Sequence, residues 1–347
     1  MRKITFLLLV ILMSSFILAT RIIPLEEILK PVTINLDNEQ IYITEGASIY
    51  IYSVKDFKFI KKFGKEGEGP QEFKIIPQLP LIINVQTDKI LVNSLGKISR
   101  FTKDGQFIDE EKIKAGFVVR LQPLGSRFIG LGIMQDNNAR YRAVNIYDSK
   151  LNKIKEMIKV EDDFQLGKGL KVLSNPLAFA TFGDKLFLSS ESDFCINVFD
   201  SDGKKLYSFK QDIDKLKVSG DMKKEIIDYL KTDPKTKQFY ELMKPIQFPD
   251  YLPAMRDIRI EDQKIYVLTF IEDEENETSQ WFIFDLKGKL VKKVQLPMKY
   301  QNALEHFPYT IHDDKLYQVV ENIEEEQWEL HITPCIGDIV ARMSFNQ

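Results

Sequence analysis

The sequence contains little of the material from which metal centres, disulfide frameworks and nucleic-acid-binding surfaces are built. Among 347 residues there are two cysteines and three histidines, and the formal net charge is −3. Two cysteines cannot make a disulfide framework, and we expect Cys195 and Cys335 to be buried, unpaired thiols. A nearly balanced charge gives no long-range attraction to nucleic acid or to an anionic membrane. We therefore expect no cofactor and no nucleic-acid partner.

Histidine is too scarce for a zinc ring around a central axis, whose ligands come from several parts of a fold. The three histidines, His306, His312 and His331, all lie in or just before the last of the repeated units described below. The sequence also lacks a G-x-S-x-G nucleophile motif. Gly64, Gly67 and Gly69 have the spacing of a dinucleotide fingerprint, but no helix pattern follows them. We expect no metal site and no nucleotide site.

Long apolar runs are absent except at the N-terminus. Arg2 and Lys3 precede an apolar run over residues 6–13, which resumes over residues 16–19. A positive segment followed by an apolar one is typical of a secretory signal, and the run is shorter than the ~20 residues of a membrane-spanning helix. We predict a signal peptide over residues 1–20 and a periplasmic or secreted protein. Membrane association would require this segment to remain uncleaved.

After a short connector over residues 21–30, one unit repeats six times. Each copy is a polar turn followed by a burst of β-branched and aromatic residues, which is a hairpin signal. An alternating strand and a second turn, often Asp-Gly or Lys-Gly, follow each burst. The six copies of the first half are Asn38–Ile43, Thr87–Val92, Gly125–Gly130, Gly183–Leu188, Asp262–Val267 and Asp313–Gln318.

Each unit predicts four short antiparallel strands. One such sheet cannot bury both of its faces, whereas radial stacking of several sheets buries a continuous core. The predicted fold is all-β, a six-bladed β-propeller of four-stranded blades within residues 21–347. The outer strand of the last blade could come from residues 339–343 or from residues 22–25. The blades are predicted at about 31–73, 78–113, 118–160, 176–210, 255–297 and 307–345.

Residues 211–254 interrupt the repeat between the fourth and fifth blades with a helical pattern. Asp221 is a candidate N-cap for a helix that carries Ile226 and Leu230, and Asp233-Pro234 is a candidate start for a second helix. The aromatic residues of this insertion are expected to form a partner surface or lid, or else to attach the helices to the ring. They are Phe239, Tyr240, Phe248 and Tyr251.

Residues 63–107 resemble one NHL-type propeller repeat. The resemblance rests on the G-x-x-G-x-G-P-x-x-F joint from Gly64 to Phe73, on residues 88–93 and on the Asp104-Gly105 turn. Lys97 and Asn93 stand where the family pattern has arginine and aspartate. The chain is most similar to exported bacterial six-bladed propellers, and this resemblance implies a binding or scaffolding role.

Arg256, Asp257 and Arg259 precede the fifth repeat, where its innermost strand should begin. There the arginines could bind an anionic ligand in the central funnel, or the three residues could form a salt-bridged strand end. The leading functional prediction is an exported, non-catalytic propeller that binds a protein, peptide or glycan. The alternative is a metal-dependent hydrolase or lactonase, which would need oxygen ligands from several blades in the funnel.

Overall fold

The computed structural model describes residues 20–335 except 77, 78, 95, 114–116, 137, 138, 175, 176 and 191. Within this part of the chain, the strands form six four-stranded antiparallel sheets, one three-stranded sheet and one pair. The predicted all-β fold class is therefore confirmed. Of the predicted signal peptide, residues 1–19 lie outside the described residues, as do residues 336–345 of the predicted last blade.

The described chain opens with a short strand, β1 (Arg21–Pro24), and a first four-stranded sheet. That sheet contains β2 (Thr33–Leu36), β3 (Gln40–Glu45), β4 (Ser48–Ser53) and β5 (Phe59–Phe63). A joint follows, with β6 (Lys65–Glu66) and β7 (Glu72–Phe73). The second sheet contains β8 (Ile82–Val85), β9 (Lys89–Ser94), β10 (Lys97–Thr102) and β11 (Phe107–Lys112).

The third and fourth sheets are separated by a small hairpin. The third contains β12 (Phe117–Leu124), β13 (Arg127–Asp136), β14 (Ala139–Tyr147) and β15 (Lys153–Glu161). The hairpin contains β16 (Phe164–Gln165) and β17 (Gly169–Lys171). The fourth sheet contains β18 (Ala178–Phe182), β19 (Lys185–Ser189), β20 (Cys195–Phe199) and β21 (Lys205–Lys210).

The insertion and the last two sheets complete the described chain. The insertion contains α1 (Gly220–Thr232), a 3-10 helix (Lys237–Phe239), α2 (Tyr240–Met243) and β22 (Ile246–Gln247). The fifth sheet contains β23 (Asp257–Glu261), β24 (Lys264–Asp273), β25 (Thr278–Asp285) and β26 (Leu290–Pro297). The sixth contains β27 (Tyr309–His312), β28 (Lys315–Asn322) and β29 (Gln327–Pro334).

The sheets are arranged in a ring with their first strands innermost. The strand β2 contacts β8, and the contacts continue through β12, β18, β23 and β27 back to β2. Each pair of consecutive sheets shares one apolar core; for example, Tyr317 of the sixth sheet and Ile34 of the first lie in one cluster. Six such clusters, within the described residues, link the six pairs of neighbours. This is the radial stacking of a β-propeller.

The sixth sheet is completed by the N-terminal strand. β1 pairs antiparallel with β29, in a register that places Ile23 opposite Leu330, and the strand order is β27-β28-β29-β1. Of the two candidate segments for this strand, the one predicted at residues 22–25 supplies it, as β1 over Arg21–Pro24, and the predicted blade over 307–345 takes its outer strand from the N-terminal side of the ring. The connector predicted over residues 21–30 is thus a strand in its first part.

The glycine-rich joint between the first two sheets is a compact loop. The Oε2 atom of Glu72 accepts a hydrogen bond from the Gly69 amide at 2.9 Å, and Lys97 donates to the Gly69 carbonyl at 2.8 Å. Gly64 has a φ of +89°, and a Cβ there would lie 2.5 Å from the Ala47 carbonyl oxygen. The fully buried ring of Phe73 packs beneath the loop, among the core residues of both sheets.

Helix α1 begins two residues earlier than predicted. Its N-cap is Ser219, whose side chain accepts a hydrogen bond from the Met222 amide at 3.1 Å, so the prediction of Asp221 as the cap was wrong. Asp233 closes α1 as its C-cap and does not start the next helix. Ile226 and Leu230 lie on this helix as predicted, and both are buried. No helix in the described part of the chain has the length and hydropathy to cross a membrane.

We refer to residues 211–254 as the cap. The cap packs on the connection between the third and fourth sheets, because β22 pairs in parallel with β17 and Val172 joins Ile226 and Leu230 in one cluster. Ala303 and Leu304, from the connection between the fifth and sixth sheets, pack against the same cluster. The cap itself connects the fourth sheet to the fifth. It is attached to one face of the ring by packing on the connection between the third and fourth sheets and on the connection between the fifth and sixth sheets.

Candidate functional site

A charged cluster lies where the inner strands meet. Asp257 and Arg259 are two residues apart on β23, so their side chains lie on the same side of that strand, and Tyr309 begins the neighbouring strand β27. Arg120 reaches the cluster from β12 of the third sheet, and its charge acts on both Asp257 and Arg259. The third sheet does not adjoin the fifth, but Arg120 donates to the carbonyl of Phe179 on β18, the inner strand between β12 and β23, and so extends toward the fifth sheet.

The carboxylate of Asp257 is the hub of the cluster. Its Oδ2 atom accepts hydrogen bonds from the Tyr309 hydroxyl at 2.6 Å and from Nε of Arg259 at 3.0 Å. Its Oδ1 atom accepts from the Ile258 amide at 2.8 Å. Protein surrounds the group on most sides, yet solvent still reaches it, since the side chains of Asp257 and Arg259 are 17% and 35% exposed. The cluster is therefore enclosed but accessible.

The pKa values in the cluster follow from burial and from these contacts. Burial is the largest single effect on the pKa of Asp257 and works to raise it, but Arg259, the Tyr309 hydroxyl and Arg120 act together against burial, and the pKa lies below its usual value. Burial is also the largest single effect on the pKa of Arg259 and works to lower it, but Asp257 and Tyr309 together outweigh burial and raise the pKa. Burial, with Asp257 beside it, raises the pKa of Tyr309 well above its usual value. Asp257 and Arg259 therefore form an ion pair at neutral pH.

Arg120 has no such partner. Its guanidinium lies over the Phe179 ring, 4.7 Å from the centroid, and Nη2 donates to the Phe179 carbonyl at 3.2 Å. With the Gln122 amide turned so that its oxygen faces these donors, that oxygen accepts from Nη2 at 2.7 Å and from Nε at 3.3 Å. Among the described residues, no carboxylate oxygen lies within 4.0 Å of its nitrogens. Burial, reinforced by Arg259, lowers the pKa of Arg120 to about 10, which still leaves it charged at neutral pH.

His306 lies beside the cluster as a neutral ring. Its ring is 4.6 Å from that of Tyr309, centroid to centroid, and Nδ1 lies 3.0 Å from the Phe307 carbonyl oxygen. Burial lowers the pKa of His306, and the attraction of Asp257 only partly offsets this. With His306 neutral, the two arginines and one aspartate give the cluster a net charge of +1.

Arg256 is held outside this cluster, although the sequence placed it with Asp257 and Arg259. Its guanidinium pairs with Glu272 at 2.8 Å and donates to the Ala303 carbonyl at 2.9 Å. Two aromatic rings flank it, with the Tyr300 centroid 4.1 Å away. Only 9% of the side chain is exposed. This arginine ties the connection after the fifth sheet to the ring, and the predicted role in ligand binding stays a prediction.

The other two histidines occupy separate places. Nδ1 of His312 lies 2.9 Å from Oε1 of Glu261, and Nε2 lies 3.1 Å from Oδ1 of Asn38, which links the fifth, sixth and first sheets. His331 pairs with Glu329 at 2.9 Å. The structure shows no group of three or more potential metal ligands among the residues it describes.

The predicted aromatic partner surface divides into two parts. Tyr240 and Phe248 are half-buried against the cap's own core, with Lys244 over the Tyr240 ring at 4.8 Å. Both pack against the cluster of Val172, Ile226 and Leu230, which joins the insertion to the ring. Phe239 and Tyr251 remain 39% and 44% exposed and are the accessible aromatics of the insertion.

Two cavities flank the segment that leads from the cap back to the ring, which we name the strap (residues 247–254). One has a volume of about 440 Å³ and is lined by Phe248 and by Arg142 of the third sheet. The other, of about 630 Å³, is lined by Tyr251 and Phe270. Pro249 lines both. The second cavity is acidic, with two lysines against four aspartates: Lys210, Lys215, Asp193, Asp212, Asp214 and Asp250.

Comparison with solved structures supports the propeller fold. The chain is similar to a "Putative exported protein" from Bacteroides fragilis, at a TM-score of 0.54 and 13% identity over 91% of this chain and 95% of the other. It is also similar to a member of the DUF4221 family from Bacteroides vulgatus, at a TM-score of 0.50 and 13% identity over 91% and 96%. At such identity the likeness shows the fold alone.

Sequence comparison identifies no family. No protein-family model matches the chain, and no curated protein matches it. The resemblance of residues 63–107 to an NHL repeat therefore stays a resemblance, while the coarser prediction of a propeller is confirmed.

Sequence reasoning missed Arg120 and Tyr309 as members of the cluster. Both lie at inner strands of predicted repeats, which is the signal that could have drawn attention to them. What the pattern could not give is the direction of the Arg120 side chain toward the fifth sheet, since that depends on how the sheets face one another.

Proposed function

We propose that this protein is an exported, six-bladed propeller that carries out no reaction. It binds an extended partner, which is a protein segment, a peptide or a glycan chain, on the face of the ring to which residues 211–254 are attached. The observation that supports this proposal is the pair of cavities on either side of the strap, of about 440 and 630 Å³. Cavities of this size are typical of ligand-binding clefts.

The chemistry of the two cavities limits the partner. Phe248 lines one and Tyr251 lines the other, so an elongated partner would meet an aromatic surface in each. In the smaller cavity, Arg142 pairs with Asp163 at 3.0 Å and Lys171 with Glu161 at 3.6 Å, which leaves little net charge. The larger cavity is acidic and opposes an anionic partner. We therefore expect a neutral glycan or a peptide that carries lysine or arginine.

Binding arrays of oligosaccharides and of 15-residue peptides test this proposal, probed with the chain from residue 20 onward. The ligands retained by the wild type are then measured against Tyr251→Ala, which should weaken binding by about tenfold or more if Tyr251 is a central contact. Phe59→Ala is the matched control, because Phe59 is an aromatic residue of similar exposure, 37%, on the first sheet. Equal affinities for the two variants would refute the proposed surface.

Export has its own test. The basic residues and apolar run of the first 20 residues support it, and the Bacteroides fragilis protein of similar structure is described as an exported protein. A fusion of residues 1–20 to a reporter that folds only outside the cytosol should be active, and N-terminal sequencing of the full chain should begin near residue 20. An inactive fusion and an intact N-terminus would contradict export.

A further inference from the structure

The centre of the ring carries one positive charge without a counterion. The Arg259 charge is balanced by Asp257 at 3.0 Å, but no described carboxylate balances Arg120. A charge removed from water is costly unless it is paired. A guanidinium does not lose its proton in a protein, so Arg120 cannot avoid this cost by becoming neutral.

Arg120 is held in one orientation by its surroundings. The Phe179 ring supports one face of the guanidinium at 4.7 Å, while the Phe179 carbonyl and the Gln122 side chain occupy Nη2. No acceptor among the described residues engages Nη1, and Nη1 is not sealed from solvent. A fixed guanidinium with free N–H donors is prepared to bind an oxyanion, because little side-chain entropy remains to be lost.

We propose that Arg120, together with the Arg259–Asp257–Tyr309 cluster, forms a binding site for a single carboxylate group where the inner strands meet at the centre of the ring. A carboxylate presents two oxygens that match the two-pronged donor geometry of a guanidinium. Its single negative charge would bring the net charge of the cluster from +1 to zero. A dianion such as phosphate would leave a net negative charge and would be repelled by Asp257.

The site is separate from the two cavities beside the strap. None of Arg120, Asp257, Arg259 and Tyr309 lines either cavity, and the larger cavity has the opposite charge. The carboxylate site and the proposed partner-binding surface can therefore each fail without the other. The carboxylate could belong to a small organic acid or to the C-terminus of a peptide, and the two sources are distinguished below.

Line broadening of the acetate methyl signal in proton NMR tests the site, with chloride used to hold the ionic strength constant. The wild type should broaden the acetate signal and leave that of acetamide, which has the same shape without the charge, unchanged. Arg120→Met should abolish the broadening, because methionine keeps an apolar contact with Phe179 but has no donors. Arg127→Met is the matched control, since Arg127 lies in the same sheet and pairs with Asp202 at 2.6 Å; it should behave as the wild type.

If Arg120→Met does not fold, Arg120→Lys serves as a second variant of the same residue. Lysine retains the charge without the planar fork, so acetate affinity should fall by roughly tenfold or more, as expected when a charge-assisted hydrogen bond is lost. Tetra-alanine with a free C-terminus, compared with its C-terminal amide, identifies the source. Selective broadening of the free acid indicates a peptide C-terminus, and broadening of acetate alone indicates a small acid. Acetate left unchanged by the wild type, or broadened equally by either Arg120 variant, would overturn the proposal.

Discussion

The hydroxyl of Tyr309 donates a 2.6 Å hydrogen bond to Oδ2 of Asp257, and this bond joins the sixth sheet to the fifth at the inner edge of the ring. The acceptor is an ionised carboxylate, and hydrogen bonds of that kind are stronger than those between neutral groups. The same carboxylate neutralises Arg259. Tyr309 thus supports both the contact between two sheets and the charge balance of the cluster.

We expect Tyr309→Phe to lower the free energy of unfolding by about 1.5–3 kcal/mol, the range for a hydrogen bond to a charged group. Denaturant unfolding at pH 7 measures the loss. Tyr317→Phe is the matched control, because Tyr317 is a buried tyrosine whose hydroxyl has no hydrogen-bond partner among the described residues. That variant should change stability by less than about 0.5 kcal/mol. Losses of the same size in both would show that the bond to Asp257 contributes nothing particular.

His312 should give the protein a pH-dependent contribution to stability. The hydrogen bond with Glu261 raises the pKa of His312 above its usual value, against the effect of burial. A group with a raised folded-state pKa stabilises the fold fully below its unfolded pKa, ~6.5, and loses that contribution as the pH rises through the folded value. Chemical denaturation at pH 5.5 and pH 9 should therefore show that His312→Gln is destabilising mainly at the lower pH.

Two further variants isolate the His312 effect. Glu261→Gln removes the carboxylate that raises the pKa, so it should abolish the same difference between pH 5.5 and pH 9. His306 acts with the opposite sign, because its lowered pKa gives a contribution that is present above ~6.5 and lost as the pH falls. The reference protein for His312→Gln must therefore retain His306, so that the contribution of His306 is the same in both proteins. A His312→Gln effect that is equal at both pH values would contradict the prediction.

The joint between the first and second sheets should tolerate no side chain at Gly64. A Cβ at this position would lie 2.5 Å from the Ala47 carbonyl oxygen and 2.7 Å from the Phe73 ring, at a φ of +89°. We expect Gly64→Ala to cost on the order of 3 kcal/mol in unfolding free energy, since steric overlap adds to the cost of positive φ. Gly46→Ala is the control, with a φ of +52° and no atom within 4 Å; it should cost about 1–2 kcal/mol. Equal costs in denaturant unfolding would show that the joint relaxes.

Removal of β1 should destabilise the whole ring. A chain that starts at residue 26 lacks the strand that pairs with β29 and lacks Leu25, a member of the core between the sixth and first sheets. We expect its melting temperature to fall by on the order of 10 °C relative to a chain that starts at residue 20, and we expect self-association, because the exposed edge of β29 can pair with another molecule. Calorimetry and light scattering measure the two effects. An unchanged melting temperature in a monomeric protein would contradict the role assigned to β1.

The strands were predictable because their signals are local. The turn and burst at Asp262–Val267, for example, correspond to the hairpin from β23 into β24, and alternation and turn residues act over a few positions. The N-cap residue of α1 was not predictable, because Ser219 and Asp221 both have acceptor side chains and the choice depends on the backbone of a single turn. The attachment of the insertion (residues 211–254) through β17 and β22 was not predictable either, because it depends on pairing between distant segments.

The site was predicted in part for the same reason. Asp257 and Arg259 are adjacent in one strand, so their shared position could be inferred from spacing alone. Arg256, their neighbour in sequence, lies instead between two aromatic rings, because it belongs to the bend that precedes β23 and not to the strand itself. Arg120 joins from another sheet, and the choice of β1 as the outer strand of the sixth sheet depends on the closing of the ring. Neither feature can be inferred from a local sequence pattern, because both depend on contacts between distant segments.

The pairing of β1 with β29 also has a consequence for the order in which the protein can be made. The strand β1 is synthesised before all five of the sheets that separate it from β29 in the sequence, so the ring cannot close until residues 327–334 have emerged from the ribosome. The intervening sheets can form as they emerge, but the sixth sheet is completed only after them. Folding of this protein should therefore end with the late pairing of β1 with β29. In any chain interrupted before residue 327, β1 would have no strand to pair with.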